Sequence, residues 1–132
     1  MTARLLRGLA VPAALVVVLA GCGGGGSSSS QGYKQPPGPA DSELTIDAGD
    51  FYFKPAAPTV SAGVVDLKLD SQGGTHTLVF AGSKVPSGFQ LEVSSTGDTS
   101  SLRVDLKPGK YTFYCDIPGH RSQGMQGTLT VN

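Results

Sequence analysis

Across residues 43–132 the apolar residues alternate with polar ones in one stretch after another, and no window repeats them at helical spacing. Glu43-Leu44-Thr45-Ile46, Val64-Val65-Asp66-Leu67-Lys68-Leu69 and Leu102-Arg103-Val104-Asp105-Leu106 all carry this pattern. It is the mark of strands with one face buried. Thr77-Leu78-Val79-Phe80, Tyr111-Thr112-Phe113-Tyr114 and Thr128-Leu129-Thr130-Val131 are rich in the β-branched and aromatic residues that suit a pleated surface. Ala62-Gly63, Gln72-Gly73-Gly74, Pro108-Gly109 and Pro118-Gly119 punctuate them as turns. Residues 81–101 are less regular and read as loop, with a short strand over Gln90–Val93. About seven short strands in a domain of this size predict an all-β, Greek-key β-sandwich. Phe51, Phe53, Tyr111, Phe113 and Tyr114 are expected in its core and sheets.

The N-terminal part is of another kind. Arg4 and Arg7 precede an apolar run, Leu9–Ala20, that is too short for a spanning helix of about 20 residues. A basic start and a short apolar core predict a secretory signal. It ends Leu19-Ala20-Gly21-Cys22, which resembles the lipobox of bacterial lipoproteins. The resemblance implies removal of residues 1–21, lipidation of Cys22, and a place on the extracytoplasmic face of a cell membrane. Gly23–Ser30 contains only glycine and serine, and residues 31–42 add Pro36, Pro37 and Pro39. Residues 22–42 are therefore expected to be a lipidated cysteine and a disordered tether. Residues 43–132 form the domain.

Charge removes one class of partner. Ten basic and ten acidic side chains give a formal net charge of zero, so no basic stripe is available to neutralise nucleic-acid phosphates. Two histidines are too few for a multinuclear copper or zinc enzyme centre.

The cysteines direct attention to one loop. With Cys22 consumed by lipid, Cys115 has no partner within the chain, and a leftover cysteine in an exported protein asks for a role. It lies in Cys115-Asp116-Ile117-Pro118-Gly119-His120-Arg121-Ser122-Gln123-Gly124-Met125, so that Cys115, His120 and Met125 follow one another at intervals of five. Pro118-Gly119 and Gly124 let the loop fold back between two strong strands. The other histidine, His76, opens a strand directly after Gly73-Gly74-Thr75. Two imidazoles, one thiolate and a weak thioether are the ligands of a blue-copper site. Structural zinc prefers four strong ligands and seldom takes methionine. A Cys–His nucleophile would need an orienting group and an oxyanion hole; Asp116 could orient, but Met125 and the glycine turns would have no role.

The C-terminal ninety or so residues resemble the plastocyanin/azurin family of cupredoxins. The matching residues are Phe51-Tyr52-Phe53-Lys54-Pro55, Ala62-Gly63, His76 with Leu78, Pro108-Gly109-Lys110-Tyr111, and Tyr111 through Met125 to Gly127-Thr128-Leu129. The resemblance implies that His76, Cys115, His120 and Met125 bind one copper ion cycling between Cu(I) and Cu(II). Two positions depart from the family. Thr77 stands where an asparagine often ties the ligand loops together, and Asp116 where small hydroxyl residues are common. Both are expected to tune the potential through hydrogen bonds around the ligands.

The expected activity is one-electron transport between redox proteins, without catalysis. Electrons would leave by the His120 ring edge. Ile117, Pro118 and Gly119 would form an apolar docking rim, with Arg121 orienting the partner, and the chain would act as a monomer. Two alternatives are a copper-binding or copper-delivery lipoprotein and an accessory copper domain of a membrane oxidase. Delivery proteins expose several Met or His residues, which this chain lacks.

Overall fold

A computed structural model describes residues 32–132. The expected signal peptide and the lipidation site Cys22 lie outside the described residues. The domain is a sandwich of two sheets. Its strands are β1 (Ser42–Gly49), β2 (Tyr52–Lys54), β3 (Thr59–Val60), β4 (Gly63–Ser71), β5 (His76–Phe80), β6 (Leu91–Val93), β7 (Thr99–Leu106), β8 (Gly109–Tyr114) and β9 (Gln126–Val131). One sheet has the order β2-β1-β4-β7 and the other β3-β9-β8-β5-β6. The chain passes repeatedly from one to the other. β1 pairs with β4 in parallel, and β3 with β9 in parallel; the other pairings are antiparallel.

Alternation in sequence becomes alternation in burial. Along β4, Val65, Leu67, Leu69 and Ser71 face inward, and along β7 Ser100, Leu102, Val104 and Leu106 do the same. Leu78, Leu91, Phe113 and Leu129 meet them from the other sheet, all at most 1% exposed. Each such side chain contributes about 1.5–3 kcal/mol by leaving water.

The described residues form nine strands, against the about seven expected. β2 and β3 are three and two residues long, too short for a period to register in the sequence. β7 also begins at Thr99, inside the stretch read as loop, because Thr99-Ser100-Ser101 carries no apolar alternation. Phe53 is 4% exposed, as expected of a core residue, but Phe51 is 39% exposed. Phe51 occupies the two-residue turn between β1 and β2 with φ of 61°, a conformation uncommon for a bulky side chain.

The last part of the tether also departs from expectation. Residues 33–41 have no regular structure, yet they are strapped along β7, the outer strand of its sheet. The Tyr33 hydroxyl donates to the Arg103 carbonyl at 2.9 Å, and the Arg103 amide donates to Gln35 Oε1 at 2.9 Å. The Arg103 guanidinium donates to the Gly38 carbonyl. At the far end Val64 N–H donates to Asp41 Oδ2 at 2.8 Å, while the Asp41 amide donates to the Val64 carbonyl. The Tyr33 ring meets Phe89 edge to face, 5.2 Å between centroids. Side chains of the strap thus satisfy an open strand edge that would otherwise invite another chain. Composition alone hid this, because one aromatic ring and one carboxamide outweigh the prolines around them.

Burial raises the Tyr33 phenol above its ordinary 10.0, and the negative Asp105 adds to the rise. The fold therefore favours the neutral phenol. As pH climbs past 10 the unfolded chain loses this proton before the folded one does, so stability falls. The contribution of Tyr33 is complete below pH 10 and disappears as pH rises through the raised folded value. Tyr33→Phe should lose about 1 kcal/mol at neutral pH, the worth of one net hydrogen bond. Denaturant midpoints at pH 8 and pH 11 should show a smaller alkaline loss in Tyr33→Phe than in wild type; equal losses would contradict this reading of the strap.

Candidate metal centre

The site lies at one end of the sandwich, where β5 starts and β8 stops. His76 is the first residue of β5 and only 2% exposed. It follows a tight turn in which Gly74 has φ of 74°, a conformation that suits glycine. Ser71 braces that turn: its Oγ donates to the Gly74 carbonyl and accepts from the Gly73 amide, both at 3.2 Å. The Gly73 carbonyl then lies 2.7 Å from His76 Nε2. A carbonyl oxygen only accepts, so Nε2 carries the hydrogen and Nδ1 presents a lone pair. That Nδ1 is buried and has no hydrogen-bond partner.

Cys115 follows β8 directly and is fully buried. Its amide donates to the Met125 carbonyl at 3.1 Å, so the β8–β9 hairpin carries on beyond its last ladder pair, Tyr114 with Gln126. The loop between is closed on itself. His120 N–H donates to the Ile117 carbonyl and Met125 N–H to the His120 carbonyl, each at 3.1 Å. A 3₁₀ turn over Arg121–Gln123 ends on Gly124 with φ of 104°. These bonds fold the loop so that His120 Nδ1 lies 3.5 Å from Cys115 Sγ. Met125, at the end of the loop, is fully buried.

The three strong donors converge. One ligand atom each from His76, Cys115 and His120 lies within 4.8 Å of the others, and the two imidazole rings are 5.4 Å apart between centroids. Leaving a buried polar atom unsatisfied costs about 1–3 kcal/mol. An orphaned His76 nitrogen aimed at a thiol and a second imidazole is explained by a metal ion that all three would hold. Soft sulfur with two imidazoles suits copper.

Thr77 joins the two ligand segments. Its amide lies 3.5 Å from Cys115 Sγ, and its hydroxyl 2.6 Å from Asp116 Oδ1 and 3.0 Å from the Asp116 amide. Ile117, Pro118, Gly119 and Arg121 line an open groove of about 560 Å³ beside the loop, next to Tyr114. Arg121 is not a freely solvated charge. Its guanidinium stacks 4.0 Å above the Tyr114 ring, and its Nε donates to Gln126 Oε1 at 3.2 Å.

Two residues escaped the sequence reading. Ser71 orients His76 through the Gly73–Gly74 turn, and nothing in the alternation of β4 marks an inward serine as special. Phe51 is expected in the core by residue type, but its ring meets the His120 ring edge on, 5.1 Å between centroids. The signal was present in Gly49-Asp50-Phe51, where a two-residue turn pushes the aromatic outward beside the copper loop.

A two-sheet β-sandwich with two histidines and a cysteine gathered at one tip defines a blue copper protein of the cupredoxin class. The profile of the copper-binding proteins of the plastocyanin/azurin family matches residues 40–132, and the chain belongs to that family. Plastocyanin of Dryopteris crassirhizoma is 36% identical over 104 residues, 70% of this chain and 99% of the relative. Auracyanin B shares the fold with a TM-score of 0.60 at 24% identity, over 82% of this chain and 96% of the other. A chain of a heme-copper terminal oxidase dimer matches with a TM-score of 0.55 at 21% identity, over 80% of this chain and 78% of that one. At such identity the two structural likenesses show the fold alone. His76, Cys115 and His120, with Met125, form a type 1 copper site, and the chain is a plastocyanin-like blue copper electron carrier.

Proposed function

We propose that this protein is tethered by lipid to the extracytoplasmic face of a membrane and passes single electrons between redox proteins there. The observation that carries the electron-transfer reading is the convergence of His76, Cys115 and His120 within 4.8 Å in a site with one half-buried edge. Copper bound there would supply a one-electron couple with no bond made or broken in a substrate. The chain's own residues do the rest. His76 and Cys115 are sealed from water, whereas His120 is only half-buried and is the electron exit. The groove of Ile117, Pro118 and Gly119 supplies an apolar rim for a small, transient contact. Arg121, held over Tyr114, presents a fixed positive charge at the border of that groove. Thr77 and Asp116 lock the two ligand segments together and tune the couple. The loop bonds keep the ligands in place when the charge on the metal changes, which favours fast transfer.

The tether reading rests on the Leu19-Ala20-Gly21-Cys22 pattern. Among the described residues no helix is long and apolar enough to cross a membrane. In the producing cell the full chain should partition with membranes, and Cys22→Ser should move it to the soluble fraction; equal partitioning of the two would overturn the anchor. Electron carriage and copper delivery separate by exchange. The reduced, copper-loaded protein should give up its ion slowly to a Cu(I) chelator while still exchanging electrons rapidly with small redox complexes. Rapid copper loss would favour delivery.

A further inference from the structure

The Thr77 hydroxyl has more calls on it than it can answer. It owns one hydrogen. Two acceptors stand within reach: Cys115 Sγ at 3.5 Å and Asp116 Oδ1 at 2.6 Å. Oxygen donors to carboxylates settle at about 2.5–2.7 Å, and such bonds are about twice as strong as neutral ones. The carboxylate therefore takes the hydrogen. One of the hydroxyl's two lone pairs is committed as well, since the Asp116 amide donates to it at 3.0 Å. Asp116 thus grips Thr77 with both its side chain and its main chain. The Thr77 amide, at 3.5 Å, is then the backbone donor left to the sulfur. Thr77 is 5% exposed, so water does not compete for this bond.

We propose that Asp116 holds the Thr77 hydroxyl away from the Cys115 sulfur, and that this diversion sets the copper couple lower than Thr77 alone would set it. A hydrogen bond to the thiolate withdraws electron density from it. Density lost from the sulfur is no longer donated to the oxidised metal, so each bond to sulfur raises the potential, and each one withheld lowers it. Asp116 acts through Thr77 and is a positioning residue. Its negative charge stabilises the oxidised ion in the same direction. The two effects separate because only one of them needs the hydroxyl.

The proposal rests on the copper reading of this site. A chain that binds copper without intense colour fails that reading, whereas a blue protein with the wrong pattern of shifts fails this proposal alone. The experiment is a potentiometric titration of the copper-loaded full chain, comparing wild type with Asp116→Asn, Asp116→Ala, Thr77→Val, Thr77→Ser and the double variant Asp116→Ala/Thr77→Val. Asp116→Ala frees the hydroxyl to turn to the sulfur and should shift the potential upward. Asp116→Asn keeps a carbonyl acceptor for the hydroxyl and should shift it upward by less. Thr77→Val removes a hydroxyl that did not serve the sulfur, so the potential should not fall; Thr77→Ser should match wild type. In the double variant there is no hydroxyl to redirect, and its rise should be smaller than that of Asp116→Ala, a non-additivity that marks direct coupling. The charge-transfer band should move in Asp116→Ala and stay in Thr77→Val. A fall in Thr77→Val, or additive shifts, would overturn the proposal: the hydroxyl would then be serving the sulfur, and Asp116 would act by charge only. Asp116 lies at the surface, so its variants should fold and give a readable result even if the valine variant does not.

Discussion

Cys115→Ser abolishes the intense blue colour that Cu(II) gives the wild-type protein. The colour needs a thiolate bound to oxidised copper, and Cys115 is the free cysteine of the described residues. A serine hydroxyl at this position does not ionise at neutral pH and offers no soft donor. His76 and His120 survive the change, so any copper retained forms a pale, two-imidazole complex. Loss of neighbours that merely orient metal ligands costs about 10–100-fold in affinity, and loss of the strongest ligand should cost more than that. The variant should keep its fold, because Cys115 and serine are nearly the same size and the Cys115 amide bond to Met125 is untouched. Far-ultraviolet circular dichroism should match wild type while the visible band is absent. A blue Cys115→Ser protein would show that the colour, and the site, lie elsewhere.

The second large effect is on stability. Phe113 is fully buried in β8, two residues before Cys115. Its ring meets Phe53 at 5.4 Å and Phe80 at 6.5 Å between centroids. Its ring passes close to its cross-strand partner Gly127, where an added Cβ would come within 2.3 Å of the Phe113 ring and 2.4 Å of the Ala56 carbonyl oxygen. Glycine at 127 is therefore what lets this ring fill the space between the sheets. Phe113→Ala should cost about 3–5 kcal/mol, since the cavity closes only in part. For a domain of this length that lowers the thermal midpoint by roughly 15–30 °C, a large share of a total stability of about 5–15 kcal/mol. Phe113→Leu should cost less than half as much. Calorimetry of the apoprotein reads this directly, and a loss under 1.5 kcal/mol for the alanine variant would mean that the core closes around the gap.

The strand framework and the ligands were legible in the sequence for the same reason: both are carried by short-range patterns. β4 and β7 show period-two burial because one face of each is sealed and the other wet. Cys115, His120 and Met125 lie within a single loop, and His76 follows a glycine pair that forces a turn. What the sequence hid depends on contacts between distant segments. Tyr33 and Gln35 bond to Arg103, nearly seventy residues away, amid prolines that read as disorder. Ser71 matters only through the turn it braces. Phe51 reads as core by residue type, and only the β1–β2 turn turns it outward against His120. Nothing in the loop's spacing signals that the Arg121 guanidinium stacks on Tyr114. The competition between Cys115 and Asp116 for one hydroxyl hydrogen is set by a difference of 0.9 Å between two contacts, 3.5 and 2.6 Å, which no spacing rule encodes.

The central claim is that two imidazoles, a thiolate and a thioether close around a single copper ion. Stepwise addition of Cu(II) to the reduced apoprotein, followed by visible absorption and electron paramagnetic resonance, tests it most directly. The account predicts an intense blue band that grows to one equivalent, stops there, and bleaches reversibly on one-electron reduction. A pale complex, or uptake that continues past one equivalent with no strong band, would contradict it.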